Sequence, residues 1–513
     1  MKNLILLLAV ALCFAACSIS RTVNLNTDDG KIAVNFLQVN DVYEISPLQG
    51  GKVGGVARVA ALKKELLAEN PNTYMLMAGD FLSPSVYNSL RHDGKRVRGA
   101  QMVDALNTAG LDFAVFGNHE FDINETELQS RLNESEFQWI SSNTFHQTKD
   151  GVQPFRKFKT GGEEIIPENF VLKLTDKDGT TARIGFLGVT LPFNKVSYVA
   201  YTNPMETAVQ WYERMKDSCD AIIAITHLAL EEDSLLALRL PGLTAIVGGH
   251  EHDMRYITVG NVPITKAHAN AISAFILKVT IDKTSGKVQV VPELKMIDAS
   301  LNFDPQTQEV VDKWNKIAVD NFGTLGFDAM KVVRSKGEPL DGRESVIRAK
   351  PSNLTRILVS AMEKAAPEAD VAIFNSGSIR VDDILQMPVT QYDIIRRLPY
   401  GGTIVEVDMQ GSLLQQVLET GRTNVGSGGF LQYSSAVRHH PEKNSWTIQE
   451  LPIDTAKIYR VAISDFLLTG GEARMDYLTE KNPGIMRIYP KSNRDIRIDL
   501  ISYMEGLEGL MKD

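Results

Sequence analysis

From Ile32 onward, short continuous apolar runs alternate with longer stretches of helical spacing. Ala33 to Val39, Tyr74 to Ala78, Phe113 to Phe116, Ile184 to Val189, Ala221 to Thr226 and Thr244 to Val247 are runs of four to seven residues. Such lengths suit buried strands. Between them, Val56 to Leu67 and Gln101 to Ala109 repeat apolar residues at three- and four-residue intervals, which predicts helices. Strand and helix in alternation predict an α/β layered domain with ligands bound beyond the carboxyl ends of its strands.

The pattern changes over 146–181, which is rich in Lys, Gly and Thr and has little periodicity before Phe170-Val171-Leu172-Lys173-Leu174. This stretch reads as an excursion off the domain that ends in a hairpin turning at Asp176-Lys177-Asp178-Gly179. A second hairpin joins Phe275 to Ile281 with Val288 to Val291 through Lys283-Thr284-Ser285-Gly286-Lys287 and closes the domain. Asp304 to Asn321 carries Val310, Val311, Trp314 and Ile317 at helical spacing and reads as a connector helix. New apolar runs at Val371 to Phe374, Ile404 to Val407 and Val461 to Ile463 predict a second, smaller α/β domain with its own core. The expected division is 1–16 signal peptide, 17–31 tether, 32–302 first domain, 303–324 connector and 325–513 second domain.

Composition narrows the class. The 513 residues are 43% hydrophobic and 23% charged, as in soluble multidomain proteins. A formal net charge of -9 disfavours binding to a nucleic-acid backbone. The amino terminus is not fold: Lys2, an apolar run from Leu4 to Ala11, and Phe14-Ala15-Ala16-Cys17 read as a secretory signal. Small residues before Cys17 resemble a bacterial lipobox, although Phe14 stands where Leu is usual. Ser18 favours the outer membrane, so an exported, lipid-anchored lipoprotein is expected. With Cys13 removed and Cys17 acylated, Cys219 is the one thiol left, read as a core residue; no disulfide framework is possible.

The candidate chemistry follows the strands. Asn40-Asp41-Val42-Tyr43, Gly79-Asp80, Gly117-Asn118-His119-Glu120, Thr226-His227-Leu228 and Gly248-Gly249-His250-Glu251-His252 each come straight after an apolar run. Singly, a Gly-Asp is a turn and a His after a strand is a partnered core residue. Together they place carboxylate, carboxamide and imidazole groups on one sheet edge, a donor set for Mn, Zn, Fe or Co rather than Ca. Asp80 is the natural bridge between two ions, with Asp41 on one and Asn118, His227 and His250 on the other. His252, two residues from His250, can reach a different ion. Two adjacent metals are a device for attacking phosphate esters.

At these residues the chain resembles the calcineurin-like metallophosphoesterases. Gly117-Asn118-His119-Glu120-Phe121-Asp122 and Gly54-Gly55-Val56-Ala57-Arg58 are similar to the 5'-nucleotidase branch. So are Asn375-Ser376-Gly377-Ser378-Ile379-Arg380, Gly429-Phe430-Leu431-Gln432 and Phe466-Leu467-Leu468-Thr469-Gly470-Gly471 of the second domain. The resemblance implies a four-layer α-β-β-α sandwich, a connecting helix and a substrate-binding α/β domain. It implies one ion on Asp41, Asp80 and His252 and another on Asp80, Asn118, His227 and His250. His119, paired with Asp122, would face the phosphate; Arg380 would grip substrate, and Phe430 and Phe466 would sandwich a base.

Two departures stand out. Tyr43 occupies the place of a usual His, so it ligates as phenolate, turns away, or marks a degenerate site; altered or weakened metal choice is the favoured reading. Glu472, in Gly470-Gly471-Glu472-Ala473-Arg474, stands where Asp is usual, which leaves the base preference open. The expected function is a two-metal hydrolase of nucleoside 5'-monophosphates or related nucleotides, with no protein partner implied. The alternatives are cyclic-nucleotide or nucleotide-sugar hydrolysis at the same site, and a non-catalytic nucleotide-binding lipoprotein. Arg396-Arg397 and His439-His440 read as solvated surface.

Overall fold

A computed structural model describes residues 28–490 and 494–510; the signal segment, Cys17 and most of the tether lie outside them. Two six-stranded sheets form the first domain. One has the order Lys287–Met296, Ser273–Asp282, Lys31–Val39, Thr73–Met77, Phe113–Ala114, Gln138–Trp139. The other runs Asn169–Thr175, Thr181–Thr190, Ala221–His227, Ala245–Gly248, Val262–Lys266, Arg255–Val259. Strands buried on both faces explain the continuous apolar runs: every residue of Ala221–His227 is buried. Phe36, Leu76 and Phe113 of the first sheet meet Ile184, Phe186, Ile223 and Val247 of the second in a shared core. Helices Val56–Glu69 and Ala100–Ala109 cover the outer face of the first sheet, and Pro204–Met215 and Leu230–Arg239 that of the second. The layers are therefore α-β-β-α.

Some expectations need correction. The ladder after Phe113 stops at Ala114, so Val115 and Phe116 are buried without being strand. The hairpin turning at Asp176–Gly179 is not off the domain, since Asn169–Thr175 is the edge strand of the second sheet. Cys219 is half-buried at the margin of the outer core.

The connector helix Pro305–Thr324 begins where Asp304 accepts a hydrogen bond from the Thr307 amide at 3.0 Å, with Pro at the first helical turn. The second domain is a five-stranded sheet in the order Leu431–Tyr433, Val371–Asn375, Ile458–Ser464, Ile404–Gln410, Ile485–Ile488. Val371–Asn375 runs parallel to Ile458–Ser464 and antiparallel to Leu431–Tyr433. The loops bearing Arg380, Phe430 and Phe466 therefore leave the same end of the sheet. One hydrophobic core joins the domains, running from Leu106 through Val311, Trp314 and Phe322 to Leu354 and Phe374.

Candidate metal centre and active site

The carboxyl ends of both first-domain sheets meet at one point. The first sheet delivers Asp41, Asp80 and Asn118; the second delivers His227 and His250. Asp41, Asp80 and His250 have φ of 53°, 56° and 84°, the left-handed region that costs a non-glycine residue energy. The glycines of the motifs permit the close approach. A Cβ on Gly79 would stand 2.6 Å from the Gly117 amide nitrogen and 2.7 Å from His227 Nδ1. One on Gly249 would collide with the Ala78 carbonyl.

Ligand-bearing atoms of Asp41, Asp80 and His227 lie within 4.8 Å of one another, and all three side chains are buried. His227 Nε2 is 3.1 Å from Asp80 Oδ2, while Nδ1 sits 2.8 Å from the Ala78 carbonyl, which fixes the ring with Nε2 inward. Asn118 Oδ1 is buried with no hydrogen-bond partner. A buried carboxamide oxygen left unpaired beside carboxylates is costly unless it meets a cation, so these residues fit a metal centre. Burial disfavours the charged forms of His227 and Asp80, but their mutual attraction wins, lifting His227 to about 10 and holding Asp80 well below the usual carboxylate range. Burial and the neighbouring His227 push His250 down to about 4, which keeps it neutral. An entering cation would displace the His227 proton.

Tyr43 does not turn away. Its hydroxyl lies 3.2 Å from Asp80 Oδ2, 3.1 Å from His252 Nε2 and 3.5 Å from Asp41 Oδ1. Burial, then Asp80 and Asp41, hold its phenol well above the ordinary value. His119 Nδ1 is 2.7 Å from Asp122 Oδ2, and its backbone amide donates to Asp80 Oδ1 at 2.7 Å. Across the domain boundary, Arg380 Nη2 lies 3.4 Å from His119 Nε2. A cavity of about 340 Å³ opens there, lined by Asp80, His119, His250, His252, Glu344 and Arg380 among others, within the size range of small-molecule sites.

Phe430, Phe466 and Glu472 share the sheet end with Arg380 but do not line this cavity. Phe430 is buried and Phe466 is 42% exposed. Glu472 accepts from Asn375 Nδ2 at 2.7 Å and from the Ala473 amide at 2.8 Å, so it ties two loops together. Arg396 and Arg397 are buried, not solvated, because their helix faces the first domain; Arg397 pairs with Asp383. His439 lies against Trp446, with ring centroids 4.8 Å apart, so it too is partly buried.

Several residues escaped sequence reasoning. Glu120 accepts from the amides of Asp80, Phe81, Leu82 and Gly117 at 2.5–3.0 Å and so sets the Asp80 loop. It belongs to the Gly-Asn-His-Glu motif, which was its signal. Asn194 donates to the Asn118 carbonyl and to Asp122 Oδ1, both at 2.8 Å. Lys266 supports both histidine turns from below, and Glu344 and Asp382 approach from the second domain. No motif marks these four.

Oxygen and imidazole donors gathered between the two sheets of a four-layer sandwich define a metallophosphoesterase. The calcineurin-like phosphoesterase family model matches residues 34–254, and the model of the 5'-nucleotidase C-terminal domain matches residues 331–480. The chain belongs to the 5'-nucleotidase family and is a metal-dependent hydrolase. It is 23% identical over 477 residues to the 5'-nucleotidase of Bos taurus, covering 82% of this chain and 78% of that protein. It is 26% identical over 463 residues to protein UshA of Yersinia enterocolitica, covering 80% of each. Its fold is similar to the crystal structure of a 5'-nucleotidase precursor from Thermus thermophilus, with a TM-score of 0.74 at 23% identity over 93% of this chain and 97% of that one.

Proposed function

We propose that this chain is a two-metal phosphomonoester hydrolase that releases phosphate from nucleoside 5'-monophosphates or related nucleotides. The observation that carries the reading is the buried cluster of Asp41, Asp80 and His227, with Asn118 Oδ1 buried and unpaired, next to a pocket lined by Asp80, His119 and His250 that Arg380 closes from the other domain. Asp41, Tyr43, Asp80 and His252 would hold one ion, and Asp80, Asn118, His227 and His250 the other, drawn from Mn, Zn, Fe or Co. Two ions bound there would neutralise phosphate oxygens and make a water acidic enough to attack phosphorus.

The chain's own groups do the rest. Arg380 offers a planar guanidinium to the phosphate. Asp122 orients His119, whose Nε2 faces the cavity and can donate to the charge that builds on phosphate or leaving group. Phe466 offers a free ring for stacking on a base, with Phe430 in the neighbouring loop, and Glu472 ties the Phe466 loop to the start of the loop that bears Arg380. The domain boundaries expected from the sequence, export, and a lipid anchor at Cys17 belong to the same proposal. Among the described residues no helix is long and apolar enough to cross a membrane.

The test is phosphate release from a panel of nucleoside 5'-monophosphates, cyclic nucleotides and nucleotide sugars with Mn, Zn or Co. Monophosphates should turn over fastest, chelation should abolish turnover, and Asp80→Ala should stay inactive at any metal concentration. Full activity in chelator would overturn the two-metal reading. Preference for a cyclic nucleotide or nucleotide sugar would overturn the substrate assignment. Nucleotide binding without turnover, with fewer than two ions per chain, would favour a non-catalytic binding protein.

A further inference from the structure

Two of the histidines at the metal centre are oriented in different ways. His227 is held by its own domain, through the Ala78 carbonyl at 2.8 Å from Nδ1. His252 is not. Its Nε2 points at the centre, 3.1 Å from the Tyr43 hydroxyl and 3.8 Å from Asp41 Oδ1. Its Nδ1 faces the second domain, with Glu344 Oε2 at 3.0 Å and Asp382 Oδ2 at 4.0 Å; the Glu344 contact has ion-pair distance but falls outside hydrogen-bond geometry, so a small rotation of the ring would complete it. Glu344 is itself fixed: it is buried, its amide donates to Asp382 Oδ1 at 2.6 Å, and its other oxygen is 2.5 Å from Arg348 and 3.7 Å from Arg380 Nη1. One carboxylate thus touches both the rear of a metal-facing imidazole and the guanidinium that faces the substrate pocket.

An imidazole that uses one nitrogen for a metal needs an acceptor on the other. A carboxylate there fixes the ring and strengthens the donor, and its loss typically costs 10–100-fold in metal affinity. Here the carboxylate facing that nitrogen, Glu344, belongs to the second domain. We propose that Glu344 is a positioning residue that couples metal binding to docking of the second domain. The ion at Asp41, Asp80 and His252 reaches full affinity only in the docked form, and by reciprocity that ion favours docking. The inference deepens the two-metal reading above and rests on it.

The test is calorimetric titration of metal-free full-length protein with Mn²⁺ alone, comparing wild type with Glu344→Gln and Glu344→Asp. Wild type should bind two ions. Glu344→Gln should weaken one of them by about tenfold or more while leaving the other unchanged, and Glu344→Asp should recover part of the loss. Equal thermal unfolding of the metal-free proteins would confirm that the fold survives. A second measurement needs no substitution: small-angle scattering of wild type should give a smaller radius of gyration with Mn²⁺ than without. Identical Mn²⁺ affinities in wild type and Glu344→Gln, or identical radii with and without Mn²⁺, would overturn the coupling. Should Glu344→Gln fail to fold, the wild-type scattering pair decides. Unchanged affinity in an enzyme that hydrolyses nucleotides sinks this inference alone, whereas wild type that binds no ion sinks the function proposed above.

Discussion

At the scale of single residues, Tyr43 stands where a donor to the first ion would stand. Its hydroxyl is 3.1–3.5 Å from His252 Nε2, Asp80 Oδ2 and Asp41 Oδ1. Donors on one ion with bonds of about 2.0–2.2 Å stand roughly that far from each other. The spacing suits a further donor as well as a phenol hydrogen-bonded to Asp80, and the alternative of a ring turned away does not hold. Burial and two carboxylates resist removal of its proton. Should Tyr43 ligate as phenolate, a small, highly charged ion such as Fe(III) would gain most from it. Protein loaded with Fe(III) should show a visible phenolate-to-iron charge-transfer absorption that Tyr43→Phe lacks. Tyr43→His should bind Mn²⁺ about tenfold more tightly than wild type, read by competition with a chelator. Identical spectra for wild type and Tyr43→Phe would remove Tyr43 from the ion's surroundings.

At the scale of elements, the strand Val262–Lys266 explains how two histidine turns keep one geometry. Lys266 Nζ donates to the Leu228 carbonyl at 2.6 Å and the Gly249 carbonyl at 2.9 Å, just after His227 and just before His250. It also pairs with the fully buried Asp233 at 2.8 Å and with the partly exposed Glu251. Lys266→Met would leave the buried Asp233 carboxyl without its cation, a loss of about 3 kcal/mol. Denaturant titration should show it, and Asp233→Asn in the same chain should return part of the stability. Equal midpoints for wild type and Lys266→Met would mean the ammonium is dispensable. This device also marks the limit of the sequence. The strand ends were legible, because apolar runs stop at Asp41, Asp80, Asn118, His227 and His250 and the ladders deliver them to one edge. Lys266, Glu344 and Asn194 were not, since each acts on partners that only tertiary packing brings near. Arg396-Arg397 misled for the same reason: a basic pair looks solvated until a second domain covers its helix.

At the scale of the whole molecule, the interface between domains carries a proton-sensitive group. Ser46 and Tyr87 of the first domain meet Asn315 of the connector helix at 3.0 and 2.7 Å, and Trp314 donates to Asp104 at 2.8 Å. Beside them Glu44 is 1% exposed, with neither carboxylate oxygen hydrogen-bonded, facing Arg396 and Arg397 and close to Tyr87 and Tyr392. Burial outweighs the two guanidinium groups and raises this carboxyl to about 7. The unfolded chain would release the same proton near its ordinary value of 4.5. Below that value both states are protonated and Glu44 adds no pH dependence. Between about 4.5 and 7 only the unfolded state has lost the proton, so stability falls as pH rises; above 7 the loss is complete, at about 3 kcal/mol. Glu44→Gln keeps the shape and removes the titration. Its stability relative to wild type, from denaturant titrations at several pH values, should rise through this window by about that amount and then level off. Parallel curves, or a variant that weakens towards neutral pH, would show that Glu44 stays ionised and paired with the arginines.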